Sequence, residues 1–274
     1  MRKPNIIEAT NEFVALAIQC EHSEQPAFAA QAYVGAAKCE AVAGNFLGEA
    51  EHYVTAARYY MKAEKKLSSL KFYSPDRENL EAAIGCFMLA LGKYPADSPL
   101  KTSILLELAN DLVSLNYKCE AISYYKQALE SASDKTVRLM CMKNLLNLQI
   151  DSEAFDIALN TANSICDSNL NIPDDILTEI QISRILLTLL VEPLEESKPD
   201  SLKQLLTDLM NDFEKTIFST EVALKLQSIV MSSASGDVAT LGRVSADGKH
   251  LLTPIQVDLL DKLNREKRQS HLCI

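Results

Sequence analysis

Apolar residues recur along the chain at spacings of three and four, and no stretch alternates convincingly at period two. That periodicity belongs to helices with one face turned to a core, not to strands. It predicts helices over 6–21, 26–43, 48–70, 76–93, 99–115, 118–132, 135–149, 152–166, 174–191, 201–217, 220–234 and 254–267. Start signals punctuate the pattern. Ser98-Pro99 supplies an N-cap and an N1 proline before Leu100, and Ser74-Pro75 does the same ahead of Leu80. Ser23 with Pro26, Asp134, and Thr253-Pro254 mark three further starts.

Helices of similar length joined by short turns suggest a repeat. The best unit runs through Leu105, Leu108, Ala109 and Leu112, turns at Asn116, and returns through Ala121, Tyr125 and Ala128. Small residues there suit the contact of paired helices, and large ones suit the stacking of the next pair. Three degenerate units accompany it: Ala83, Phe87, Ala90 and Pro95; Ala158, Ala162 and Ile165; and Val34, Ala37, Ala41 leading to Ala50, Val54 and Ala57. A generic bundle with alanine at its crossings is the alternative. One good unit and three degenerate ones favour an all-α fold of tetratricopeptide-like helical pairs stacked into a superhelix.

The regularity weakens after Cys166, which divides the chain into an N-terminal repeat array over 1–166 and a helical region over 167–274 continuing the same superhelix. Residues 167–173 form a polar loop, and 192–201 (EPLEESKPDS) is the most linker-like segment. Between them, 176–191 is apolar nearly all round, as befits a helix enclosed on every side. With the weak repeats around it, that helix suggests surface buried only in a complex. The polar stretch 232–248, with Gly236, Gly242 and Gly248, reads as a connection.

Composition narrows the class. Hydrophobic residues make up 47% of the 274, too many for a disordered chain, and 8 Gly with 9 Pro are too few for low complexity. The 27 basic against 37 acidic residues leave a net charge of −10. A surface of that sign repels nucleic acid and anionic membranes and complements a basic protein surface. Seven cysteines, an odd count without C-x-x-C, read as buried thiols in a reducing compartment. There is no glycosylation sequon, the N-terminus lacks a signal-peptide core, and the longest apolar block falls far short of a membrane span. The expectation is a soluble intracellular protein with no membrane insertion.

No catalytic or cofactor constellation emerges. The histidines at 22, 52, 250 and 271 are scattered, and H-E-x-x-H, G-x-S-x-G, a phosphate loop and G-x-G are absent. Asp174-Asp175 and Glu195-Glu196 read as a helix-dipole complement and solvated charges. We therefore expect neither catalysis, nor cofactor, nor metal. Lys143 and Asn147, one turn apart, with Asn110 in the preceding unit, match part of a carboxylate clamp for C-terminal peptides. Arg184 is the evident candidate for its further basic residue, though a solvated Lys–Asn pair is the plainer reading.

Several strings, taken in order, resemble one family. They are Arg2-Lys3-Pro4-Asn5 with Glu8-Ala9 and Phe13, Phe28-Ala29-Ala30 leading to Ala37-Lys38-Cys39, and Thr55-Ala56-Ala57-Arg58. Ile182-Ser183-Arg184-Ile185-Leu186-Leu187, Leu226-Gln227-Ser228-Ile229-Val230-Met231 and Leu251-Leu252-Thr253 follow. The chain resembles the forty-kilodalton huntingtin-associated protein family from end to end, least between about 76 and 170. It departs from the family in lacking the longer N-terminal extension and in reducing the central Pro-rich insertion to a short polar loop. The resemblance implies a tetratricopeptide-like superhelix wedged between the domains of huntingtin, a very large HEAT-repeat scaffold. It also implies an association with early-endosome traffic through a Rab GTPase, hence a cytoplasmic address, and nothing in the sequence bars the nucleus. Candidate partner contacts are Arg2 and Lys3 and the acidic connector residues Glu192, Glu195, Glu196 and Asp200. Two other readings compete: a vesicle-fusion adaptor of the soluble attachment-protein type, and a co-chaperone using the partial clamp.

Overall fold

Five of the two- and three-residue turns between consecutive helices close in the same way, as does the end of the third helix at Lys71 and Phe72. The computed structural model describes residues 5–72, 74–95 and 98–272, which form thirteen α-helices and three short 3-10 turns with no strand. The first six helices are α1 (Ile6–His22), α2 (Pro26–Ala43), α3 (Phe46–Ser69), α4 (Glu78–Leu91), α5 (Pro99–Ser114) and α6 (Lys118–Ser131). The remainder are α7 (Lys135–Asp151), α8 (Phe155–Cys166), α9 (Asp174–Val191), α10 (Asp200–Asn211), α11 (Thr220–Ser235), α12 (Val238–Gly248) and α13 (Pro254–Leu272). Turns α1–α2, α2–α3, α5–α6, α7–α8 and α11–α12 each place one residue in the left-handed region: Glu24, Gly44, Asn116, Glu153 and Gly236. The next amide then donates to the carbonyl five residues back. These bonds are Gln25 to Cys20 (2.9 Å), Asn45 to Glu40 (3.0 Å), Tyr117 to Leu112 (2.8 Å), Ala154 to Gln149 (2.9 Å) and Asp237 to Ser232 (3.1 Å). This six-to-one bond satisfies a carbonyl that the ending helix leaves open.

Start signals hold in part. Ser98 caps α5 and Asp134 caps α7, the latter accepting from the amides of Thr136 and Val137 at 2.9 Å. Thr253 and Gln256 form a reciprocal capping box at the start of α13. Ser23 instead donates to the Gln19 carbonyl at the end of α1, and α4 starts after Arg77 rather than at Ser74. One helix was not foreseen. The stretch 232–248 holds the end of α11 and all of α12, because Gly236 stops one helix and Asp237, accepting from the Thr240 amide at 3.0 Å, starts the next. The segment expected to extend α10 to 217 ends at Asn211 and gives way to a 3-10 turn, Phe213–Lys215.

The chain divides into two compact units, Met1–Ser133 and Asp134–Ile274. The expected division at 166/167 falls inside the second, where α8 and α9 pack in one core. In the first unit, Ala29, Ala30, Ala36 and Ala37 of α2 and Ala50, Ala56 and Ala57 of α3 are wholly buried. Side chains this small bring helix axes close. Gly35 completes the seam toward α1, since a Cβ there would lie 2.7 Å from the Phe13 ring. Larger side chains, Leu80, Phe87, Leu108 and Leu112, fill the space beyond.

The second unit is built around α9. Ile180, Ile185, Leu186 and Leu187 are all but inaccessible, enclosed by Ala162 and Ile165 of α8, Leu226 and Ile229 of α11, and Leu260 and Leu263 of α13. The all-round apolar helix is therefore covered by its own unit and is not a surface awaiting a partner.

Candidate partner-binding surfaces

The acidic connector follows Glu192, which ends α9 with a left-handed backbone (φ 48°). That turn carries its carboxylate to Lys267 of α13, an ion pair the spacing alone cannot reveal. Glu195 pairs with Lys198 at 2.5 Å, and the ammonium holds its carboxyl below the usual carboxylate range. Asp200 opens α10 with its side chain fully exposed, 3.7 Å from Lys203. Glu196 is exposed and has no ion-pair partner among the described residues. Three of the four candidate carboxylates thus carry a local counter-charge, and Glu196 alone presents its charge uncompensated. Arg2 and Lys3 lie outside the described residues.

Three of the clamp candidates are engaged within their own units. Lys143 is held by Glu179 at 2.7 Å, and Asn110 accepts from the Tyr125 hydroxyl. Arg184 has no exposed surface at all. Its Nε donates to Asn163 Oδ1 at 2.6 Å and one terminal nitrogen to Ser201 Oγ at 2.7 Å; Ser201 in turn donates to Asp167 at 2.6 Å. The other terminal nitrogen, Nη1, is buried without a partner. Burial pulls the pKa of this guanidinium down. The residue ties α8, α9 and α10 together and is out of reach of a peptide.

Sequence periodicity missed the apolar edges of the first unit. At one end of α2 and α3 the side chains of Phe28 and Leu70 stand 59% and 69% exposed, with Phe72 beyond. Pro26, Phe28, Ala63, Leu67 and Leu70 line an apolar groove of about 240 Å³, with Lys66 at its rim. At the other end Val42, Phe46 and Leu47 are more than half exposed, and Lys93 lies over the Phe46 ring at 5.7 Å. A helical stripe model places such residues inside. Phe28, Val42, Phe46 and Leu47 sit in the first or last turn of their helices, and Leu70 and Phe72 follow the end of α3.

Ion pairs also link odd-numbered helices. Arg58 grips Glu107 through two bonds of 2.6 and 2.8 Å, and Lys65 reaches Asp111 at 2.5 Å, both joining α3 to α5. Nearby, Tyr33 stacks on His52 and on Tyr59, with ring centroids 6.1 and 5.6 Å apart, and donates to Glu21 at 2.8 Å. Burial, then the Glu21 carboxylate, pushes Tyr59 up to about 12 and Tyr33 further.

Among the described residues no group of three or more His, Cys, Asp or Glu side chains is placed to hold a metal ion, and no helix is long and apolar enough to cross a membrane. Burial raises the Cys86 thiol to about 11, and those of Cys141 and Cys166 also rise. No protein-family model matches the chain, and no curated protein matches it either.

Proposed function

We propose that the chain is a non-enzymatic binding subunit that docks through the apolar edges of its first unit onto a large helical scaffold. The resemblance of its sequence strings supplies the kind of partner: a HEAT-repeat protein of the huntingtin type, with a Rab GTPase linking the assembly to early endosomes. Stacking of its helical pairs into a tetratricopeptide-like superhelix belongs to the same reading. The observation that carries it is the exposure of Phe28, Leu70 and Phe72 at one end of α2–α3 and of Val42, Phe46 and Leu47 at the other. Grouped apolar side chains of this size are uncommon on the surface of a monomer and mark contact sites. The burial of Arg184 speaks against the co-chaperone reading.

Affinity purification of the tagged full chain, with mass spectrometry of what it retains, tests the proposal. One stoichiometric giant helical-repeat partner is the expected result. Phe28→Asp combined with Leu70→Asp should abolish its recovery while leaving the far-ultraviolet circular dichroism unchanged. Recovery of chaperones or fusion factors in its place, or retention of the partner by the double variant, overturns it.

A further inference from the structure

In a chain of net charge −10, α13 carries two arginines at exposed positions. Arg265 and Arg268 are three residues apart and share a helix face. Among the described residues neither takes part in an ion pair; Arg265 Nε donates at 3.3 Å to the Asp261 carbonyl, which leaves its terminal nitrogens open. Both line a cavity of about 470 Å³ between α12 and α13, together with Gly242, Ser245, Lys249, Asp261 and Asn264. That size lies within the range of roughly 300–1,000 Å³ occupied by small-molecule sites.

Three features make this more than a basic patch. Gly242 leaves room for the Arg268 guanidinium, since a Cβ there would sit 3.1 Å from Nη2. Lys249 and Asp261 pair across the wall at 2.7 Å, so the surplus positive charge is that of the two arginines. Ser245 and Asn264 are 2% and 8% exposed, and the Ser245 hydroxyl and the Asn264 carbonyl oxygen are buried with no hydrogen-bond partner. Unpaired buried polar atoms are uncommon in folded proteins and call for an explanation.

Each group selects chemistry. Guanidinium groups fit tetrahedral oxyanions through paired N–H bonds. The Asn264 oxygen can only accept, so it demands a donor that a bare anion lacks. Asp261 likewise accepts from a hydroxyl and repels a second anionic group. We propose that this cavity binds the phosphate ester of a polyol, with the phosphate on Arg265 and Arg268 and the hydroxyls toward Asp261, Asn264 and Ser245. A soluble sugar phosphate and the inositol headgroup of a phospholipid share that chemistry. The site is independent of the apolar edges and of the partner proposed for them.

Titration calorimetry of the full chain tests it with glucose 6-phosphate, inorganic phosphate and phosphatidylcholine vesicles containing phosphatidylinositol 4-phosphate. Glucose 6-phosphate should bind more tightly than inorganic phosphate, because the latter leaves the acceptor oxygens unserved. Binding of the vesicles alone assigns the headgroup as the source and supports the site equally. Arg265→Gln and Arg268→Gln, both at exposed positions, should each weaken binding about tenfold, the worth of one charge-assisted hydrogen bond. Gly242→Ala, which crowds the guanidinium without removing charge, should weaken it as well. Circular dichroism confirms that each variant is folded. Failure of every probe at millimolar concentration, or binding that none of the three substitutions changes, overturns the proposal.

Discussion

Replacing Arg184 separates what a buried charge does for position from what it does for stability. The guanidinium is wholly buried, holds two neutral oxygens at 2.6 and 2.7 Å, and leaves Nη1 without a partner. Asp167 reaches it only through the Ser201 hydroxyl. Bonds from a charged donor contribute about 1.5–3 kcal/mol each, so the two together give about 3–6 kcal/mol. Burying the ion costs several kcal/mol, and the orphaned donor about 1–3 kcal/mol more. Gain and cost nearly cancel. Arg184→Met keeps an unbranched stem as far as the position of Nε and deletes both terms, leaving the space of the terminal nitrogens partly empty. Ser201 retains Asp167, so the one group left stranded is Asn163 Oδ1, and the loss should be about 1–3 kcal/mol. Arg184→Ala adds a cavity and should cost at least about 2 kcal/mol beyond that. Combining Arg184→Met with Asn163→Leu removes the stranded oxygen and should return to within about 1 kcal/mol of the parent chain. Urea unfolding followed by circular dichroism measures all four, and hydrogen exchange of the α9 amides localises the effect. The reasoning fails if Asn163→Leu adds its own cost to Arg184→Met, for the network would then be strongly stabilising rather than balanced.

Three further outcomes follow from the geometry. Tyr33 and Tyr59 keep their protons above the ordinary tyrosine value near 10. Their contribution is complete below about 10 and is lost as pH rises through about 12, so alkaline unfolding of the first unit should begin in that window and be blunted by Tyr59→Phe; a titration followed by circular dichroism reads it. Glu24 holds a left-handed φ of 55°, so Glu24→Gly should raise stability by up to about 1 kcal/mol in denaturant titrations, strain relief being partly offset by glycine's greater chain entropy. Glu196→Lys should leave stability within about 0.5 kcal/mol. In stopped-flow mixing at two salt concentrations it should slow association with the proposed scaffold and flatten the salt dependence.

The helices were legible because the apolar stripe and the caps agree. Asp134, Ser98 and Thr253 act where the sequence places them, and Asn116 takes the left-handed turn its residue type favours. The enclosure of α9 was legible too, though not what encloses it, because its covering residues lie on α8, α11 and α13. α12 was hidden because Gly242 and Gly248 resemble punctuation, whereas one accommodates Arg268 and the other ends the helix. Arg184 misled for a related reason: a basic residue in an apolar run reads as a surface feature unless Asn163, Ser201 and Asp167 are known to converge on it. The Glu192–Lys267 pair spans 75 positions, beyond any local pattern.

Arg184 also changes what the covalent connector between α9 and α10 has to do. α10 is seated by Leu202 and Leu209, both fully buried, and is tied at its first turn by Ser201 to Arg184 and Asp167. From its far end Gln227 of α11 donates to the Met210 carbonyl at 3.0 Å. Upstream, Glu192 is fastened to Lys267 before the prolines begin. Both banks of the connector are thus anchored independently of the bridge, and Leu194 at its middle is 79% exposed. A protease that severs the peptide there should divide the polypeptide without dividing the unit, and the two fragments are expected to co-elute in size-exclusion chromatography.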